Sequence, residues 1–340
     1  MIPCVSGRPW RTLIGVLLVA LLAVSCSSDA VEDPSSRLAE SFEQTFRGSF
    51  AYHLEAVADR DALEAMDATL GPIVARLNLF EIDGVVDGDT ATMAFSLYGL
   101  APIGEFRRFG DEEIFLRFGI TQEPLSVLVR PDLGSDLTRI AEEQELPRTV
   151  TNAIAALFQG DWVGVTGAFD PADMEDLLGV DVASESAADE APPEDGALAD
   201  ALPDLVRQYV EVRDEIAEDG SAVYGVELRV VEMLATVAGL GERGLSAEDA
   251  QVLNDLFAGF PERVAGTVGI EDGVVTEVVF DIAQAARDAG DDVPGSLVVR
   301  LELRDHGAPV APERPGDATL VDSDELLAGL AALLGVRAEG

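Results

Sequence analysis

Stretches in which every second side chain is apolar recur along this chain, and that period of two constrains its fold more than any other feature. In residues 49–58, Phe50, Tyr52, Leu54 and Ala56 share one side, as a half-buried strand requires. The run FEIDGVVDGDTATMAFSLYG reads as two strands joined at Asp87-Gly88, with Met93, Phe95 and Leu97 on one face. Ile114, Leu116, Phe118 and Ile120 repeat the pattern, as do Tyr224, Val226, Leu228 and Val230. A meander follows, with strands at 264–270, 274–283 and 297–304 and its first turn at Glu271-Asp272-Gly273. Strands with one apolar and one polar side belong to an antiparallel sheet, and no strand–helix–strand repeat argues for a parallel one.

An apolar sheet face must be covered, and the helical spacings supply the cover. Val150, Ile154, Leu157 and Phe158 form one stripe that Gly160 is placed to end. Asp170-Pro171 opens a short helix that stops at Gly179, and Ser246 caps another carrying Ala250, Leu253, Leu256, Phe257 and Phe260. Asp322 and Glu325 form a capping box ahead of Leu326, Leu330, Leu333 and Leu334. The expected class is α+β: a bent antiparallel, half-barrel-like sheet with helices on its concave face. Residues 181–200, DVASESAADEAPPEDGALAD, have the composition of a disordered acidic loop.

The N-terminus reads MIPCVSGRPWRTLIGVLLVALLAVSCSSD. Arg8 and Arg11 precede an apolar run from Leu13 to Val24 that spans about 18 Å as a helix, against roughly 30 Å of bilayer hydrocarbon. That length suits a signal peptide rather than a spanning anchor. Ala23-Val24-Ser25-Cys26 resembles a bacterial lipobox, with Ala23 where such boxes usually carry Leu. The lipobox resemblance implies a signal peptide over 1–25 and a Cys26 diacylated with palmitate-type chains, which would hold the protein to a cell membrane on its extracytoplasmic face. The alternative is an ordinary secretory signal with Cys26 as a chance thiol. Residues 26–40 are expected to be a flexible tether and 41–336 a single domain. Cys4 and Cys26 are the only cysteines, so the mature chain would have neither an internal disulfide nor a two-cysteine metal site.

The charge balance excludes one class of partner. There are 64 Asp+Glu against 22 Lys+Arg, all of the latter arginine, giving a net charge of -42. Nucleic acid needs clustered cations, and Arg107-Arg108 is the only adjacent basic pair. Self-repulsion of this size suits a saline external medium, where screening is strong. Hydrophobic residues still make up 48%, so the chain has a core to bury.

No catalytic pattern is complete. GLSAE at 244–248 lacks the second glycine of a nucleophile elbow, and His53 and His306 have no placeable nucleophile or orienting partner. Asp83, Asp87 and Asp89 resemble part of a calcium loop, but Val85 and Ala94 stand where ligands are needed. With so many acids, a glycosidase-like pair of carboxylates has no evidential weight. No metal, cofactor or enzymatic activity is expected.

Four stretches resemble actinobacterial envelope lipoproteins related to the LppX/LprAFG and LolA-like superfamily. They are EEIFLRFGI (112–120), ALFQGDWVGVTG (156–167), SAVYGVELRV (221–230) and EDGVVTEVVFDIAQA (271–285). The acidic insert and a helical stretch at 61–79 depart from that pattern. The resemblance implies a half-barrel enclosing an apolar cavity that carries lipids or lipidated partners. Phe50, Met93, Phe95, Leu97, Val226, Leu228, Phe280 and Leu301 are the candidate lining residues, with Val299, Leu297 and Leu303 beside them. The same residues would equally fill a solid core, in which case the chain is a surface-exposed interaction module without a ligand.

Overall fold

The computed structural model describes residues 34–66, 76–97, 102–110, 113–119, 139, 146–167, 197–218, 220–230, 232–233, 262–290, 292–310 and 312–326. Signal peptide, Cys26 and the expected helices at 170–179 and 246–260 lie outside the described residues. The chain divides into two compact units, Met1–Leu79 with Ala187–Ala308, and Phe80–Ser186 with Pro309–Gly340. The sequence reading expected a single domain at 41–336.

The first unit opens on helix α1 (Pro34–Arg47). Proline suits a first helical position, and Glu43 pairs with Arg47 at 2.8 Å one turn on. Leu38, Ala39, Phe42 and Thr45 form its buried side. The tether expected over 26–40 therefore gives way to helix from Pro34, because Leu38 and Ala39 have an apolar surface to cover. Strand β1 (Phe50–Asp59) and the short helix α2 (Arg60–Met66) follow, then strand β2 (Arg76–Asp87), which passes into the second unit. The helical stretch expected over 61–79 is thus cut short, its last residues being strand.

Helix α4 (Ala197–Tyr209) runs directly into strand β7 (Val210–Glu218), so the acidic loop expected to reach residue 200 ends by 196. Strands β8 (Ser221–Leu228), β9 (Val264–Glu271), β10 (Val274–Asp281) and β11 (Leu297–Arg304) complete the unit, with helix α5 (Ile282–Asp288) between the last two. The strand expected to reach residue 283 ends at Asp281, whose side chain accepts from the Gln284 amide at 2.9 Å and caps α5. The order β1-β11-β10-β9-β8-β7 is antiparallel throughout. The β9–β10 turn places Asp272 and Gly273 at φ 51° and 82°, the left-handed pair that a tight hairpin needs.

The second unit holds the rest of β2, then β3 (Thr90–Leu97), β4 (Gly104–Phe109), β5 (Glu113–Phe118), helix α3 (Arg148–Gln159), β6 (Val163–Thr166) and β12 (Thr319–Asp322). Gly160 ends α3 at φ 81°, with amides of Gly160 and Asp161 bonded back to Leu157 and Ala156. Strands β2 to β6 pair antiparallel in sequence order, but β12 joins β6 in parallel. The expected antiparallel sheet is found, with this parallel pair as an addition at its edge. Between β6 and β12 the chain passes through the first unit, so no hairpin obliges the pair to run oppositely. Val150, Ile154, Leu157, Val163, Val165 and Val321 make a compact core between α3 and these strands. Among the described residues, twelve strands in an unclosed order with helices on the apolar side make the fold α+β.

Candidate ligand-binding faces

In an antiparallel pair, directly opposed residues lie on the same face. In the first unit this builds the row Ala56–Val299–Phe280–Gly266–Val226 and, beside it, Leu54–Leu301–Val278–Val268–Tyr224. Phe50, Val226, Leu228, Phe280 and Leu301, five of the sequence candidates, are all buried on this face. Gly266 makes room for a ring: a Cβ there would lie 2.4 Å from Cδ1 of Phe280. Phe42, Phe46 and Phe50 stack from α1 down onto the sheet, with ring centroids 6.1 and 5.2 Å apart. These side chains are packed against helix, as a filled core is.

The other three candidates, Met93, Phe95 and Leu97, lie in the second unit and are only half-buried. Their rows are Gly84–Met93–Phe106–Leu116–Val163, Ile82–Phe95–Gly104–Phe118 and Phe80–Leu97. Leu116 and Val163 are under α3, whereas Phe106 and Phe118 retain exposed surface. The next row along is Val86–Ala91–Arg108–Ile114–Val165, apolar except at its centre. The candidates thus divide between two units, five in a filled face and three in a face with apolar area to spare. The reading from sequence missed Phe106 and Arg108 because it did not assign β4, whose GEFRRF breaks the alternation at Arg107-Arg108 and so gives no period-two signal.

The reverse side of the second unit combines paired charges with aromatic rings, Phe115 being buried beside Phe109 at 5.7 Å between ring centres. Trp162 lies between two guanidinium groups, with Arg107 at 4.6 Å and Arg117 at 4.8 Å from its ring centre. Arg117 is paired with Glu105, and Arg107 donates to the Glu313 carbonyl at 2.6 Å. Arg314 pairs with Glu113 and sits over Phe109.

On the first unit a pocket of about 280 Å³ is lined by Glu55, Val57, Asp59, Ser296, Val298 and Arg300, the side opposite the apolar face. Asp59 closes it. Its oxygens accept from the Ala62 amide at 3.0 Å, the Ser296 amide at 2.9 Å and the Ser296 hydroxyl at 3.0 Å. Burial opposes ionisation of Asp59, but these donors outweigh it and hold its pKa below the usual carboxylate value. Nearer the sheet edge Glu227 is ion-paired to Arg263 at 2.6 Å and to Arg213 at 2.5 Å. The Arg263 hydrogen bond, with the two positive charges, lowers its pKa.

His53 faces this polar side, 4.0 Å from Glu55, while His306 lies against Phe50 at 6.5 Å between ring centres. The two histidines are on opposite sides of the sheet. Among the described residues no group of three or more His, Cys, Asp or Glu is placed to hold a metal ion.

No protein-family model matches this chain, and no curated protein matches it in sequence. In structure it is similar to the crystal structure of a LolA superfamily protein, NE2245 from Nitrosomonas europaea, at 10% identity over 83% of this chain and 96% of that one, with a TM-score of 0.24. A likeness that loose carries no argument, and the α+β class follows from the strand pairings themselves.

Proposed function

We propose that this chain is a non-enzymatic, lipid-anchored protein of the cell envelope that binds an apolar or lipid ligand against the sheet of its second unit. The observation that carries this reading is the half-buried state of Met93, Phe95, Leu97 and Phe106 on a continuous apolar face. The matching face of the first unit is filled by its own helix. An apolar surface left partly open in a folded chain is suited to a partner or ligand. The lipobox-like Ala23-Val24-Ser25-Cys26 after an apolar run too short to span a bilayer supports the anchor. In this reading Cys26 carries the acyl chains and the chain faces the outside of the cell membrane.

Two measurements test it. Lipid extraction of the purified protein followed by mass spectrometry should recover a stoichiometric apolar ligand; clean extracts, with no uptake of added lipid, would leave only the ligand-free interaction module. Cys26→Ala should accumulate as unprocessed precursor, and a variant processed and membrane-held like the parent would remove the anchor.

A further inference from the structure

The row Val86–Ala91–Arg108–Ile114–Val165, the last on this face before the hairpin turns, places a guanidinium group at the centre of an otherwise apolar row. Neighbours on such a row are about 5 Å apart, so Arg108 has the Ala91 and Ile114 side chains directly against it. Met93 and Leu116 stand in the adjacent row. Arg108 is half-buried, and its Nε is shut off from water with no hydrogen-bond partner. Among the described residues it makes no ion pair either. Scarcity of acid does not explain this, since the chain has 64 Asp+Glu for 22 basic residues. Arg107 and Arg117, on the opposite face, are both bonded and stacked. Arg60, Arg148 and Arg304, which also show no ion pair, are exposed to water. Among the described residues Arg108 alone combines a cation, an apolar setting and a buried orphan donor.

A charge in such a setting is costly unless an anion completes it. The fork of an arginine, Nε with one terminal nitrogen, matches the two oxygens of a carboxylate or phosphate. The surface beside it is apolar and half-buried at Met93, Phe95 and Phe106, where hydrocarbon can pack. We infer that the ligand of this face is an acyl lipid with an anionic headgroup, its acidic group held by Arg108 and its chain laid along Phe106, Met93 and Phe95. This rests on the carrier reading above and adds the headgroup chemistry to it. The strongly acidic protein then has one place built to receive a negative charge, which would exclude anionic lipids elsewhere on its surface by repulsion.

The test compares oleate with oleyl alcohol, which share a chain and differ in headgroup charge, for equilibrium binding to the full-length protein. Wild type should bind oleate roughly tenfold or more tightly than the alcohol, the size expected of a charge-assisted bond. Arg108→Met keeps an unbranched stem as far as the Nε position and removes the charge, so the two affinities should converge to within about twofold, through loss of oleate binding rather than gain of alcohol binding. Arg117→Met removes the same charge from the opposite face and should leave the preference intact. Equal binding of both probes by wild type, or a preference that survives in Arg108→Met, overturns the headgroup assignment while the carrier reading stands. Failure of both probes to bind overturns the carrier reading together with it. Should Arg108→Met misfold, the wild-type ratio and Arg108→Gln, which keeps a neutral polar group, decide the matter in the same terms.

Discussion

Thr45 joins helix to sheet in the first unit through one buried hydroxyl. Its Oγ1 accepts from the Val275 amide at 2.7 Å and donates to the Ser41 carbonyl at 2.6 Å. The β10–β11 pairing ends at Glu277↔Glu302, and the β9–β10 register shifts between Val275 and Glu277. The Val275 amide is therefore bonded by a helix side chain rather than by a strand. Val275 is 0% exposed and Thr45 1%, so water cannot replace the hydroxyl. Thr45→Val preserves shape and helix propensity but orphans that amide, at a cost of about 1–3 kcal/mol. Thr45→Ser keeps the hydroxyl and loses a methyl, about 0.8 kcal/mol. Urea unfolding followed by tyrosine emission reports mainly on this unit, which contains three of the four tyrosines, Tyr52, Tyr209 and Tyr224. With a slope of roughly 2 kcal/mol/M, Thr45→Val should lower the midpoint by about 0.5–1.5 M at unchanged slope. The Val275 amide should also exchange its hydrogen faster. A Thr45→Val protein as stable as wild type, or a serine variant as damaged as the valine one, would refute the reasoning.

Acid should weaken the first unit through Asp59 and Glu227. Both have folded pKa values below their unfolded ones, so the stability they confer is complete above the unfolded values and is lost as pH falls through the folded ones, below about pH 4. An acid melt of Asp59→Asn should show a smaller loss across that window than wild type. Gly266→Ala drives a methyl into the Phe280 ring and the Val279 carbonyl, each 2.4 Å away, and should cost about 1–3 kcal/mol by denaturant titration; Phe280→Leu should relieve part of it. A net charge of -42 predicts a melting temperature that rises as salt shortens the Debye length from about 30 Å at 0.01 M to about 8 Å at 0.15 M, and a flat response would count against self-repulsion.

Most strands were legible because period-two alternation and turn residues are local. Phe50–Leu54, the Asp87-Gly88 hairpin, the Asp272-Gly273 turn and the Gly160 helix end all follow from neighbours in the chain. What escaped were elements whose partners lie far away. Helix α1 looked like tether because Ser35, Ser36 and Glu40 dilute its apolar stripe, and its helical state depends on the sheet beneath it. Strand β12 has only four residues, too few for a pattern, and its parallel pairing depends on where the chain returns. Arg107-Arg108 was visible as the only adjacent basic pair, and in a strand consecutive residues must point to opposite faces. Assigning β4 would have put one arginine on the apolar side.

The sequence by itself determined which side chains share a face, where the chain turns, how acidic the surface is and which catalytic patterns are missing, because each of these depends on residue type and short spacing. Only the tertiary structure decided which face is covered. Phe50, Phe280 and Leu301 have the same alternation as Met93, Phe95 and Leu97. One set is buried and the other only half-buried, because covering a face depends on which distant segment packs against it. That same distant pairing provides Arg107 and Arg117 with partners and, among the described residues, leaves the Arg108 Nε with none.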